Sequence, residues 1–236
     1  MKARRTIQLV SQNVVLWMAL LLFLSGGTQA MASEISSPII KLPEPRYDGK
    51  VSVEKAMYLR RSIRSYKPEP LSLNNISQLL WAAQGKTSPR GYRTTPSAGA
   101  LYPLEVYLFA FDVTGLAEGV YQYFPNEHAI AITRKGNVRE ELCKSSLNQS
   151  PVRNAPAVFV ISAVYERTIR KYSRRGGRYV QLEAGHAAQN ICLQAISEGL
   201  GTVVVGAFLD HEVNALLNSI PEARPLYIIP AGVPAE

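Results

Sequence analysis

Apolar positions along the chain switch between helical and strand periods. From Ser52 to about Arg61, Val53, Ala56, Met57 and Leu59 supply an apolar stripe at helical spacing. Ser52 offers a cap and Glu54 an acidic first turn. A second helix is predicted over residues 74–83, where Ile76, Leu79, Leu80 and Ala83 share a face and Gly85 supplies the stop. Glu105 to Phe111 reads as a strand, and VYQYF and AIAITR, joined by PNEH, read as a hairpin. A short helix is expected from Val138 to Leu147. AVFVISAV, residues 157–164, has the unbroken apolar run of a strand buried on both faces. A long helix follows the basic stretch at 167–178, with Leu182, Cys192, Leu193, Ile196 and Leu200 in helical phase. TVVVGAF is predicted as a core strand, Asp210 as the cap of a helix to about Leu217, and PLYIIPAGV as the last strand. Helices and strands alternate but include a hairpin, so the expected class is α+β: a mixed, largely antiparallel sheet flanked by helices.

The first residues follow a different rule. Lys2, Arg4 and Arg5 precede the uncharged run VVLWMALLLFL, and small residues follow in SGGTQAMAS. That run is short for a bilayer span and has the layout of a secretory signal peptide, so residues 1–32 are expected to be removed on export. Cleavage would leave no stable membrane span, whereas an uncleaved signal would act as an N-terminal anchor. Arg4-Arg5 is also a partial twin-arginine signal. Residues 33–50, with Pro38, Pro43 and Pro45, read as an extended arm, and 51–236 as one domain. The formal charge of +8 overstates that domain, because losing Lys2, Arg4 and Arg5 leaves 23 basic against 18 acidic residues. A moderately basic exported protein is not expected to meet nucleic acid. Cys143 and Cys192 leave pairing open, although Cys192 falls in a helical apolar pattern that suits a buried thiol. No CxxC or HExxH spacing supports a metal site.

Three stretches carry candidate chemistry. LRRSIRSY, residues 59–66, places Arg60, Arg61 and Arg64 around Ser62 where a helix runs out. Guanidinium groups meet phosphate oxygens bidentately, so the stretch is either a solvated basic helix end or an anion site. PSAGALYP, residues 96–103, is a tight turn entering a strand or a wall that lets a backbone approach a flat ligand. Ser97 lies outside a GxSxG elbow, which excludes a hydrolase nucleophile of that kind. GLGTVVVGAF, residues 199–208, has its glycines after a helix and before a strand, the reverse of a dinucleotide fingerprint.

In this order and spacing, RRSIRSY, PSAGALYPLEVY, KYSRRGGRYVQLEAGHAAQN and GLGTVVVGAF resemble the nitroreductase-like flavoprotein superfamily, and within it the SagB-type dehydrogenase branch. The likeness covers about residues 50–234. It implies a dimeric FMN-dependent oxidoreductase that passes a hydride between substrate and flavin. By that resemblance Arg60, Ser62 and Arg64, assisted by Arg61, would hold the FMN phosphate and ribityl chain. Pro96, Ser97, Ala98 and Gly99 would line the ring, and Gly206 and Ala207 would lie beside its reactive nitrogen. Lys171 and Tyr172 match the branch's Lys-Tyr pair near the substrate, a small molecule or a peptide. A plain basic loop is the alternative for that segment, and His186 is expected as a hydrogen-bonded core or interface residue. Ala100 stands where many nitroreductases carry Asn, as is usual in this branch.

Overall fold

The structure, a computed structural model, describes residues 39–218 and 220–235. The expected signal segment lies outside them. The frame is a seven-stranded sheet in the order β1-β6-β5-β3-β7-β9-β8. Its strands are β1 (Ile39–Lys41), β3 (Leu104–Ala110), β5 (Gly119–Phe124), β6 (Ala129–Lys135), β7 (Ala157–Val164), β8 (Gly201–Thr202) and β9 (Ala223–Gly232). Every neighbouring pair is antiparallel. A separate two-stranded parallel pair joins β2 (Leu71–Ser72) to β4 (Val113–Thr114). The α+β class read from the sequence is the observed one.

All eight residues of β7 are buried, because alternate side chains enter two different cores. Phe159 and Ile161 join the core beneath α2 (Leu73–Gln84) and α6 (Gly176–Ser197). Val158 and Val160 join a second core with Leu142 of α3 (Arg139–Ser145), Val152 of α4 (Ser150–Asn154) and Leu217 of α7 (Asp210–Leu217). Helices therefore cover both faces of an antiparallel sheet, and this explains the unbroken apolar run.

α1 (Val53–Leu59) is capped by Ser52, whose Oγ accepts from Lys55 N at 3.2 Å. Of its expected stripe only Ala56 is buried; Val53, Met57 and Leu59 are exposed. The expected phase of α6 is corrected in part. Val180, Ala184, Ala187, Ala188, Ile191, Cys192 and Ala195 face the core, so Cys192 is buried as expected, while Leu182 is half-exposed and His186 lies at the surface. Small side chains let the helix lie close to the sheet, and the larger apolar groups remain on an open flank. α6 also begins six residues earlier than Leu182, and α5 (Glu166–Tyr172) precedes it where the sequence suggested only a basic loop. Gly176 hides that helix start by its low propensity, yet it is needed there. A Cβ would fall 2.7 Å from Ile169 Cα, where α5 crosses α6.

TVVVGAF is not a full strand. Val203 and Val205 point inward and Val204 outward, as a strand requires, but pairing with β9 is confined to Gly201–Thr202 and a bridge from Val205 to Ile228. As the sheet's outermost strand, this run has no full ladder on its second side. Residues 62–67 lie there instead. Ser62 pairs in parallel with Thr202, Ile63 N donates to Thr202 O at 2.9 Å, and Lys67 N donates to Val233 O at 2.9 Å. Asp210 opens α7 without a side-chain cap bond, and Leu209 holds the cap position. Cys143 and Cys192 are both buried and free.

From residue 39 on, the arm is fixed to the domain. β1 pairs with β6, and Gln78 exchanges two hydrogen bonds with the backbone of Arg46. The Arg46 guanidinium meets both carboxylate oxygens of Glu198 at 2.5 and 2.6 Å.

Gly201 admits the 62–67 segment, since a Cβ there would stand 2.7 Å from Ile63 Cβ. Gly201→Ala is expected to destabilise the fold by about 1–3 kcal/mol through overpacking, read as a lower urea midpoint with an unchanged slope.

Candidate functional site

The arginine stretch is extended, not helical. Arg60 ends α1 with ψ 123°, and its N–H still donates to Ala56 O. Beyond it, pairing to Thr202 fixes Ser62 and Ile63 as an added edge strand. Strand alternation then places Arg60, Ser62 and Arg64 on one side, opposite Ile63. Arg64 Nη1 reaches Ser62 O at 3.4 Å. Arg61 behaves differently: its Nη1 donates to Tyr58 O at 3.0 Å and to Arg60 O at 2.8 Å, closing the end of α1. The two readings of the stretch therefore divide between residues. Arg61 satisfies a helix end, while Arg60 and Arg64 have no carboxylate partner among the described residues.

The PSAGALYP turn is unusual in its backbone. Ala98–Ala100 form a single 3₁₀ turn, and Gly99, Ala100 and Tyr102 have φ of 65°, 54° and 45°. Left-handed conformations cost non-glycine residues free energy and persist where the surroundings impose them. Here Ser97 Oγ is the clamp. It accepts from Tyr102 N at 2.9 Å and donates to Glu183 Oε2 at 2.6 Å. Tyr102 is further held by Arg93, whose guanidinium lies 4.4 Å from its ring centroid, and by Arg167 Nη1 on its carbonyl. Arg167 in turn pairs with Glu105 at 2.6 Å. Pro96 is exposed at the entrance of the turn.

Lys171 and Tyr172 end α5 and come to this turn. A Cβ added at Gly99 would lie 2.8 Å from Tyr172 Oη and 2.9 Å from Lys171 Nζ. The positive φ favours glycine here, and a larger residue would also displace the two side-chain ends. Lys171 Nζ stands 5.6 Å from the Tyr172 ring, and Tyr172 packs edge-on against Tyr179 with centroids 5.2 Å apart. The Lys-Tyr pair thus belongs to the wall formed by Ser97, Ala98 and Gly99.

Glu183 is the functional candidate that sequence reasoning missed. It is 3% exposed, and burial pushes its carboxyl up to about 7, against the opposing pull of Ser97 and Arg93. Its signal was available: Val180, Glu183, Ala184 and Ala187 share the buried helical phase, which sets a carboxylate on an apolar face.

α6 links the two halves of the site. Its Glu183 holds the Ser97 turn. Nine residues on, about 13 Å along the axis, Cys192 lies beside Thr202, and its thiol feels Thr202 and the Arg60 charge. Burial nonetheless raises the Cys192 thiol. Gly206 and Ala207 continue from the β8 edge and are exposed. Gln149 Nε2 ties the Ala207 carbonyl at 2.9 Å. No hydrogen bond or ring contact joins this pair to the Ser97 turn among the described residues. No cluster of three metal-ligating side chains occurs among them either.

The topology and site define an α+β protein with an arginine-lined sheet edge and a close-packed small-residue wall. Residues 58–233 match the nitroreductase family, and the chain belongs to that family. It is 46% identical to the nitroreductase-named protein MJ1384 of Methanocaldococcus jannaschii over 82% of this chain and 95% of the relative. A crystal structure of a nitroreductase-named protein from Anabaena variabilis superimposes with a TM-score of 0.74 at 30% identity, covering 84% of this chain and 42% of that longer one. The Escherichia coli microcin synthetase McbBCD complex, with truncated pro-MccB17 bound, gives 0.63 at 26% identity, covering 81% and 76%. The chain is a nitroreductase-family oxidoreductase.

Ser97→Ala leaves Tyr102 N–H and Glu183 Oε2 without their partner. At pH 8 it is expected to cost about 1–3 kcal/mol in urea unfolding, the penalty for unsatisfied buried groups.

Proposed function

We propose that this protein is an exported FMN-dependent oxidoreductase of the SagB-type branch, acting as a homodimer. The observation that carries the reading is the convergence of Lys171 Nζ and Tyr172 Oη on Gly99, where they stand 2.9 and 2.8 Å from the place a Cβ would take. A planar ring needs such a wall, and a phosphate needs cations such as Arg60 and Arg64, which stand by the β8 edge without a carboxylate partner among the described residues. The residues present fit both ends of FMN.

Bound FMN would supply hydride chemistry, with re-oxidation by a second acceptor. Arg60, Ser62 and Arg64 would hold the phosphate and sugar-alcohol chain through charge-assisted bonds. Ser97, Ala98 and Gly99 would present backbone and small side chains to the ring, and Gly206 and Ala207 would offer backbone groups beside its reactive nitrogen. Lys171 Nζ or Tyr172 Oη would exchange the proton that leaves or joins the substrate.

Two further features support the partners in this reading. Val53, Met57 and Tyr58 of α1 and Leu182 of α6 are exposed apolar groups on a domain with otherwise filled cores, and a second copy would cover them. The likeness to McbBCD, whose structure holds a truncated pro-peptide, favours a peptide as the second reading of a substrate otherwise taken as a small molecule. Export rests on Lys2, Arg4, Arg5 and the apolar run that follows.

The test begins with an absorption spectrum of the purified mature protein and acid release of its chromophore. Yellow protein with about one FMN per chain is expected; colourless protein that takes up no added FMN would overturn the reading. Arg64→Ala should lose bound FMN and, with it, the thermal stabilisation the ligand confers. Lys171→Ala should keep flavin while turnover falls by about 10²-fold or more, the range of general acid–base catalysis.

A further inference from the structure

We propose that Glu183 is the positioning residue of this site: its buried carboxylate turns the Ser97 hydroxyl inward, and that bond fixes the left-handed turn on which Lys171 and Tyr172 converge and against which a flavin ring would pack. The inference rests on the flavin reading for its ligand, but the turn and its clamp belong to the protein alone.

The geometry runs through one hydroxyl. Ser97 has a single proton, and it is directed to Glu183 Oε2 at 2.6 Å. The oxygen is then oriented to accept from Tyr102 N at 2.9 Å. That bond closes a loop containing positive φ at Gly99, Ala100 and Tyr102. Without Glu183 the hydroxyl could rotate outward, and nothing else among the described hydrogen bonds secures Tyr102 N. Among the described residues no hydrogen bond joins Glu183 to Lys171 or Tyr172; it acts through Ser97.

Its second oxygen, Oε1, is buried without a partner. A structural carboxylate would normally have both oxygens satisfied. A half-satisfied one in an apolar phase of α6 is costly to ionise, which makes the clamp responsive to pH. Arg93 is the charge that acts directly on Glu183, and Glu105, Tyr102 and Arg167 act on Arg93 in turn. Lys171 and Tyr172 face the turn from α5, and Tyr179 lies on α6 itself. With the folded carboxyl at about 7 and the ordinary value at 4.5, the folded state holds the extra proton between those limits. Stability from this group is therefore full at low pH and lost as pH rises through about 7. The hold on Ser97 follows the opposite course, strengthening as Glu183 ionises.

The experiment compares wild type, Glu183→Ala and Glu183→Gln in three measurements. FMN dissociation constants are read from pH 6 to 8.5, amide exchange at Tyr102 is read without flavin, and melting of flavin-free protein is followed from pH 4.5 to 8. Glu183→Ala should weaken FMN binding about tenfold, as for one lost hydrogen bond to a charged group, and should speed Tyr102 exchange. Glu183→Gln, which keeps an acceptor for Ser97, should restore most of both. Wild type alone should tighten on FMN beyond the baseline set by the Gln variant, which reports titration of the FMN phosphate itself. Wild-type melting should fall with pH through about 7 relative to both variants. Unchanged affinity and unchanged Tyr102 protection in Glu183→Ala would overturn the proposal. If wild type binds no FMN, the flavin reading fails, and Tyr102 exchange alone decides whether Glu183 holds the turn.

Discussion

The close seating of α6 on the sheet is the constraint on which the rest depends. Ala184, Ala187, Ala188 and Ala195 form its buried face, and small side chains bring the helix axis near β3, β7 and β9. That proximity does two things at once. It carries Glu183 under the Ser97 turn, and it carries Cys192 to Thr202 at the sheet edge, where the arginine segment is paired. A bulkier face would lift both ends together. The two halves of the candidate site are thus coupled through one rigid element, not through contact with each other.

The same geometry explains why glycines recur at the site without sharing a function. Gly201 admits Ile63, Gly176 admits α5, and Gly99 admits Lys171 and Tyr172. Two of these are packing requirements, against an apolar side chain at Gly201 and against backbone at Gly176. Only at Gly99 are the approaching atoms polar side-chain termini. The distinction separates the part of the motif that builds the fold from the part that could serve chemistry.

Much of this was legible in the sequence. AVFVISAV, the hairpin around PNEH and the helix of Ile76, Leu79 and Leu80 follow local period and turn chemistry, and they stand where that period put them. The misreadings came where tertiary contact overrode local pattern. Gly176-Gly177 disguised a helix start that α5 demands. Leu182 was misplaced on the core face of α6, because that face is built largely from alanines, with Cys192 on it as expected. TVVVGAF has strand composition but an incomplete neighbour, so its ladder breaks. For the site, residue types and spacing marked the arginines and the small-residue turn, whereas no local signal showed that Lys171 and Tyr172 reach Gly99 or that Arg61 closes α1. Those facts depend on chain segments brought together by the fold.

One border of the sheet has a consequence for how the chain meets other chains. β8 is two residues long and is overlaid by 62–67, which leaves little free backbone for an incoming strand on that side. A seven-stranded antiparallel sheet of this apolar content would otherwise template intermolecular pairing there, so a short and covered margin protects that side against aggregation at high local concentration.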